Sequence, residues 1–215
     1  AAALVLAVAS VFGCATREGY IEGRIEEARA HAARRDYEGA QTALQEVLDQ
    51  EGNVYEVVLE RALIMMRAHD YDGASSWFAV ASDVNPRAVE PVVGRFEAEI
   101  SAASGDPAAI EAVLAEARAL LEAAPDSLLN LTACIGAHIE AGREDDVVEG
   151  RERLIVLYPD SEFGSELIKE ECDEIAVERD DRARLEMSRA FLERHAVTRW
   201  RSKVVSYELA SLRRL

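Results

Sequence analysis

Two stretches of the chain place their apolar residues in the same order. In "RDYEGAQTALQEVLDQEGN" the residues Tyr37, Ala40, Leu44 and Val47 stand against a polar background, and in "HDYDGASSWFAVASDVNP" Tyr71, Ala74, Phe78 and Ala81 take the matching places. Steps of three and four put these positions on one face of a helix, not on alternate sides of a strand. Asp36 and Gly39 return as Asp70 and Gly73, and from Ala40 to Ala74 the step is 34 residues. Extended apolar runs are short, as from Val54 to Val58, Pro numbers 5 and Gly 12, and Ala, Leu, Glu and Arg dominate. The expected fold class is all-α.

The repeat organises the chain into helix pairs. The unit Ile21–Val54 carries Ala28 on its first helix and Tyr37, Ala40, Leu44 and Val47 on the turn and second helix, with Gly52 after it. The unit Tyr55–Ala88 repeats this with Ala62, then Tyr71, Ala74, Phe78 and Ala81, and closes on Pro86. Small residues at Ala28, Ala62, Ala40 and Ala74 let two backbones approach, while Leu44 and Phe78 fill the space between neighbours. Gly39 and Gly73 are expected to relax the same crowding.

A third unit, with helices at about Arg87–Ala103 and Pro107–Ala124 joined through "SGD", is longer: Pro86 to Pro125 is 39 residues. The fourth, Leu128–Ser161, regains the period with Ile135, Gly142, Val147 and Leu154 in place, and Pro125 to Pro159 is again 34 residues. Beyond it "SEFGSELIKEECDEIA" and "TRWRSKVVSYELA" read as two first helices, since Phe163 and Ser165 recur as Trp200 and Ser202, with Arg182–His195 as the partner helix between them. About five hairpins and a terminal helix are expected over residues 20–215.

A period of this length, with a small residue, an aromatic, an Ala and a closing Pro at fixed offsets, resembles the tetratricopeptide-repeat family. The resemblance implies a right-handed superhelical α-solenoid in which each hairpin buries its apolar face only by stacking on the next. The junctions "YPDSEFGSELI" and "FLERHAVTRWRSKVVSYELA" are similar to those of periplasmic tetratricopeptide lipoproteins of the BamD-type outer-membrane assembly and Tol-Pal-associated groups. Such arrays bind partner proteins or extended peptides in a concave groove built from the first helices. Carried onto this chain, the groove positions are Arg29; Leu59, Leu63, Met66 and Arg67; Val93 and Glu97; and Thr132, Gly136 and Ile139. They lack the Lys/Asn/Arg set with which chaperone-binding members grip a terminal carboxylate. Leu63, Met65 and Met66 also fit ordinary packing between helices. Glu27 and Arg61, one period apart, stand where a packing Leu is usual; they form either a buried pair or, at lower desolvation cost, a face that leaves both wet.

The opening "AAALVLAVASVFGCAT" carries no charge from Ala1 to Gly13. That is too short to span a bilayer core and fits the apolar region of a secretory signal. Val11-Phe12-Gly13-Cys14 resembles a bacterial lipobox, which assigns residues 1–13 to a signal, Cys14 to lipidation and residues 14–19 to a short linker. The alternatives are an ordinary signal cleaved nearby and an anchor that is kept. Ala15 after the Cys implies, by the same resemblance, delivery to the periplasmic face of the outer membrane, with the array tethered through the lipid. A chain that opens without Met and stops at "SLRRL" in a helical pattern reads as a fragment.

Charge and chemistry narrow the picture. A net charge of −17 makes non-specific attraction to DNA, RNA or anionic headgroups unfavourable, and nucleic acid is excluded as a partner. The stretch from Arg182 to Leu215 is net +6, which leaves −23 on the rest, so the last helices either neutralise an acidic scaffold or dock an acidic partner. Cys134 and Cys172 read as small buried hydrophobes or as an inter-repeat disulfide, and no ligand spacing suggests a metal. His31, His69, His138 and His195 lie in different units without a catalytic motif, His69 reads as surface, and the many carboxylates read as solvated faces. The glycosylation pattern at Asn130-Leu131-Thr132 falls within a predicted helix. No catalytic residue, cofactor, metal or small-molecule substrate is expected. The expected function is a lipid-anchored periplasmic scaffold of an envelope complex, outer-membrane β-barrel assembly first. The alternatives are an accessory subunit of a pilus, secretion or Tol-Pal system, and a regulatory fragment of a larger enzyme.

Overall fold

The computed structural model describes residues 2–195 and 199–215, with side chains from Arg17 onward. Residues 1–13 and Cys14, assigned above to a signal and to lipidation, lie outside the residues whose side chains are described. Among the described residues there are eleven helices and no strand, five successive pairs and a last helix in chain order. They are α1 (Ala2–Ala33), α2 (Tyr37–Glu51), α3 (Tyr55–Arg67), α4 (Tyr71–Val84), α5 (Glu90–Ala102), α6 (Pro107–Ala123), α7 (Leu128–Glu140), α8 (Glu144–Leu157), α9 (Glu162–Val177), α10 (Asp181–Arg194) and α11 (Arg201–Leu212). The fold is all-α, and its helices pack in the sequential manner of a solenoid. Among the described residues no helix is long and apolar enough to cross a membrane.

Local chemistry sets the turns. The Asp36 and Asp70 side chains accept hydrogen bonds from the backbone N–H groups of Gly39 and Gly73, which satisfies donors that the first turn of a helix leaves open. Asp106, Ser127, Ser161 and Asp180 cap α6, α7, α9 and α10 in the same way, and Pro107 opens α6 where a missing N–H costs nothing. Arg35 and His69, one period apart, end the preceding helices with left-handed backbone at φ 61° and 60°.

Gly39 and Gly73 have a different reason from the one expected. A Cβ at either position would meet the capping carboxylate of Asp36 or Asp70, and at Gly39 also the His31 ring, all within the same repeat. These glycines make room for the cap and not for a facing helix. The extra length of the third repeat goes into α6, 17 residues against 14 for α4, and into a wider turn where Gly105 takes φ 90°. Residues 87–89, expected in the first helix of that repeat, precede α5.

The chain divides into two compact units, Ala1–Arg143 with α1 to α7 and Glu144–Leu215 with α8 to α11. The boundary falls inside the fourth repeat, so its two helices belong to different units.

In the first unit α1, α3, α5 and α7 form a row in which each touches the next, with α2, α4 and α6 packed beside them. Three apolar clusters run along it. Ile25, Ala28, Leu44, Val47, Val57 and Ile64 join α1, α2 and α3; Ala62, Ala74, Phe78 and Ala98 join α3, α4 and α5; and Phe96, Ile100, Leu114, Ala133, Cys134 and Ala137 join α5, α6 and α7. Each cluster spans three helices, so no hairpin contains its own core. The second unit has one cluster, in which Ile168, Cys172, Ile175, Phe191 and Val204 join α9, α10 and α11, with Ile155 of α8 packed against it.

The tightest of these contacts sets a testable limit. A Cβ at Gly94 of α5 would stand 2.5 Å from Cζ of Phe78, whose side chain is fully buried. Gly94→Ala is expected to lower stability by about 1–3 kcal/mol despite its gain in helix propensity, because the Phe78 ring has no free space to enter. Urea unfolding of the variant measures this.

Candidate functional site

The expected groove positions fall on the row of first helices in the first unit. Arg29 lies on α1, Leu59, Leu63, Met66 and Arg67 on α3, Val93 and Glu97 on α5, and Thr132, Gly136 and Ile139 on α7. Adjacent members of the row are in contact, and of these positions Arg29, Leu63, Arg67 and Ile139 are exposed and the others partly buried. Leu63 and Ile139 are the exposed apolar side chains among them, 36% and 53% accessible. Leu59, Met65 and Met66 are partly buried and pack against the cluster around Phe78. The α5 and α7 backbones approach closely here, since a Cβ at Gly136 would stand 2.9 Å from Cγ1 of Val93. Thr132 is half-buried, and its hydroxyl makes no hydrogen bond among the described residues.

Sequence reasoning missed the carboxylate that ties the first part of this face together. Glu60 of α3 is 3% exposed, and its Oε2 accepts from both Nε and Nη2 of Arg29, at 2.9 and 2.7 Å. Its Oε1 accepts no hydrogen bond among the described residues and lies 3.8 Å from Nη1 of Arg67. A buried charge needs a partner, which is why two exposed arginines converge on one acid. The available signal was a Glu in the apolar run "VYEVVLERALIMM", 31 residues from Arg29. The pair considered on sequence, Glu27 with Arg61, does not form. Glu27 is exposed and pairs with Arg24 on its own helix. Arg61 is half-buried, stacks 4.2 Å from the Trp77 ring centre and donates to Gln45, and desolvation lowers its pKa.

The face is acidic. Between α1 and α3 an open cleft of about 550 Å³ is lined by Glu18, Glu22, Glu26 and Glu56 around Ile21 and Ile25, with Arg17 and Arg29 at its edges. Burial, then the charges of Glu90 and Glu56, push the Tyr55 hydroxyl above its usual range. At the other end, burial and then the neighbouring Glu140 raise the Glu97 carboxyl. Glu140 accepts a hydrogen bond from Ser101 Oγ at 3.2 Å. Neither Glu97 nor Glu140 has an ion-pair partner among the described residues.

The histidines do other work. His31 bonds Asp36 at 2.6 Å, His69 bonds the Tyr71 hydroxyl at 2.8 Å, and buried His138 sits 2.8 Å from its own helix's Cys134 carbonyl oxygen. In the second unit His195, buried against Phe191, bonds Glu171 at 2.7 Å, and Arg194 joins the same carboxylate. Cys134 and Cys172 are buried thiols and not a disulfide, and burial pushes the Cys172 thiol up. Among the described residues no group of three metal-ligating side chains converges. Much of the basic charge of the last helices is used locally, as Lys203 pairs with Asp173, Arg189 with Glu208 and Arg184 with Asp181.

No family profile and no curated protein matches the chain. Among solved structures it is similar to the crystal structure of a thermophilic TPR protein from Thermus thermophilus, with 14% identity over 89% of this chain and 98% of that one, at a TM-score of 0.46.

The electrostatics of the face carry a stability prediction. Folded Glu97 keeps its proton to higher pH than it does in the unfolded chain, so its ionisation costs stability above the ordinary carboxylate range. Glu97→Gln is expected to melt at a higher temperature than the parent at pH 7, with the difference shrinking as pH falls through that range. Thermal melts across the range check the sign.

Proposed function

We propose that the first unit is a protein-interaction module whose working surface is the first-helix face, and that the chain serves as a scaffold within a larger assembly. The observation that carries this reading is the row α1, α3, α5 and α7, which holds Leu63 and Ile139 exposed beside polar atoms that make no hydrogen bond among the described residues. Solvent-facing apolar groups ringed by charge on a rigid array suit a surface that is covered in use. A photo-crosslinking side chain placed at Leu63 or Ile139 is expected to capture a discrete partner in cells. The same group at Asp83 on α4, outside this face, is expected to capture none. Equal labelling from both sites would remove the groove from the account.

The finer reading is a lipid-anchored periplasmic scaffold of an envelope machine, with outer-membrane β-barrel assembly as the first assignment. It is supported by the uncharged segment Ala1–Gly13 followed by Cys14, and by the junction phrase "YPDSEFGSELI". Cys14→Ala is expected to move the protein from the membrane to the soluble fraction without changing its circular dichroism. Incorporation of labelled palmitate that is the same in parent and variant would sink the anchor. Recovery of β-barrel assembly components in a pull-down would support the assignment, and a single unrelated stoichiometric partner would make the chain an accessory subunit of another system.

A further inference from the structure

We infer that a second copy of this chain seats the outer ridge of its α11 in the trough between α8 and α10, so that the second unit mediates self-association. Both surfaces belong to that unit, and the contact stands independently of the first-helix face.

The trough comes from the way three helices pack. Among the described residues α8 and α10 each lie against α9 and not against each other. Over α9 they leave two adjoining open clefts of about 560 and 510 Å³, which share Glu152, Ile155 and Arg194. Val148 and Ile155 of α8, Leu167 of α9 and Met187 of α10 give the larger cleft an apolar lining, and Val148 is exposed. Arg151 and Arg194 in the same cleft are paired with Glu170 and Glu171. Glu152, Glu174 and Glu186, one from each helix, pair with no cation among the described residues. An apolar trough with uncompensated carboxylates suits an occupant that brings aliphatic groups and positive charge together.

The matching surface lies on α11. Arg201, Val205, Leu209 and Arg213 follow one another at steps of four and form one ridge, with Leu212 beside it. Another side of the helix packs inward, through buried Val204 and Ser211. Leu209 and Leu212 are 49% and 46% accessible. Arg201 donates to the carbonyl oxygen of Leu192, and neither it nor Arg213 meets a carboxylate among the described residues. The ridge thus holds apolar groups between two uncompensated cations, where the trough holds apolar groups among uncompensated acids. A helix ridge entering the groove between two other helices is the ordinary packing mode of α-helices. In a chain of net charge −17, the stretch from Arg182 to Leu215 is net +6, so long-range attraction favours this end over the rest of the molecule as the occupant.

Sedimentation velocity tests this on the full chain, at concentrations up to about 200 μM because a contact of this size belongs with weak interfaces. The mass is expected to rise with concentration. Glu152→Lys with Glu186→Lys should weaken the association about tenfold or more, and so should Arg201→Glu with Arg213→Glu, each double variant keeping the circular dichroism of the parent. Mixed in equal amounts, the two variants should associate again, because the unaltered ridge of the first meets the unaltered trough of the second. Mixing would not repair a merely structural effect of the substitutions. A parent that stays monomeric throughout would overturn the second copy as the occupant and leave the trough to a basic segment of another protein. Association that survives both charge reversals, or that mixing does not restore, would overturn the pairing of trough and ridge.

Discussion

The structure depends on the inability of two antiparallel helices to hide their own apolar surface. Phe78 shows the constraint most directly. It rises from α4, meets Ala62 of α3 on one side, and presses its ring tip against Gly94 of α5 on the other. The ring is dry only because three helices surround it. In the preceding repeat Leu44 does the same among Ala28, Val57 and Ile64. Burying an aromatic or a leucine side chain stabilises by about 2–3 kcal/mol, and here each such gain is shared between neighbouring repeats.

This sharing also exposes a face. The second helices and the inward sides of the first helices are used up in packing, so the remaining side of the first-helix row faces solvent. Polar groups that packing draws close to that side need solutions of their own. Glu60 is satisfied on one oxygen by Arg29, an interaction that also ties α1 to α3. Glu97 and Glu140 form no ion pair among the described residues, and burial and then Glu140 hold the Glu97 carboxyl above its usual range. The site is thus a consequence of how the array is held together, with its charges left over from packing.

The second unit follows the same rules with a different balance. Arg184, buried on α10, donates to Ser211 of α11 at 2.7 Å and to the carbonyl of Glu178 at the end of α9, so one guanidinium fastens three helices. Glu171 gathers His195 and Arg194 at the end of α10. Much of the basic charge of the last helices is therefore structural, with Arg184, Arg189, Arg194, Lys203 and Arg214 pairing with carboxylates on α9, α10 and α11, while Arg182, Arg199, Arg201 and Arg213 reach no carboxylate among the described residues.

Some of this was written in the sequence alone. Helix positions, the 34-residue step and the small-against-large pairing of Ala62 and Ala74 with Phe78 all follow from local spacing and backbone chemistry, which act over a few residues. Tertiary structure decided what the period cannot carry: that Gly39 and Gly73 serve their caps, that the chain divides at Arg143, that Cys134 and Cys172 stay apart as separate thiols, and that Glu60, not Glu27, is the buried acid. The physical reason is that burial and charge pairing depend on the rotation of one helix against its neighbour. A shift of one residue along a helix turns a side chain by about 100°, enough to move an acid from solvent to the contact with the next helix, and a hydrophobic pattern alone does not fix that angle.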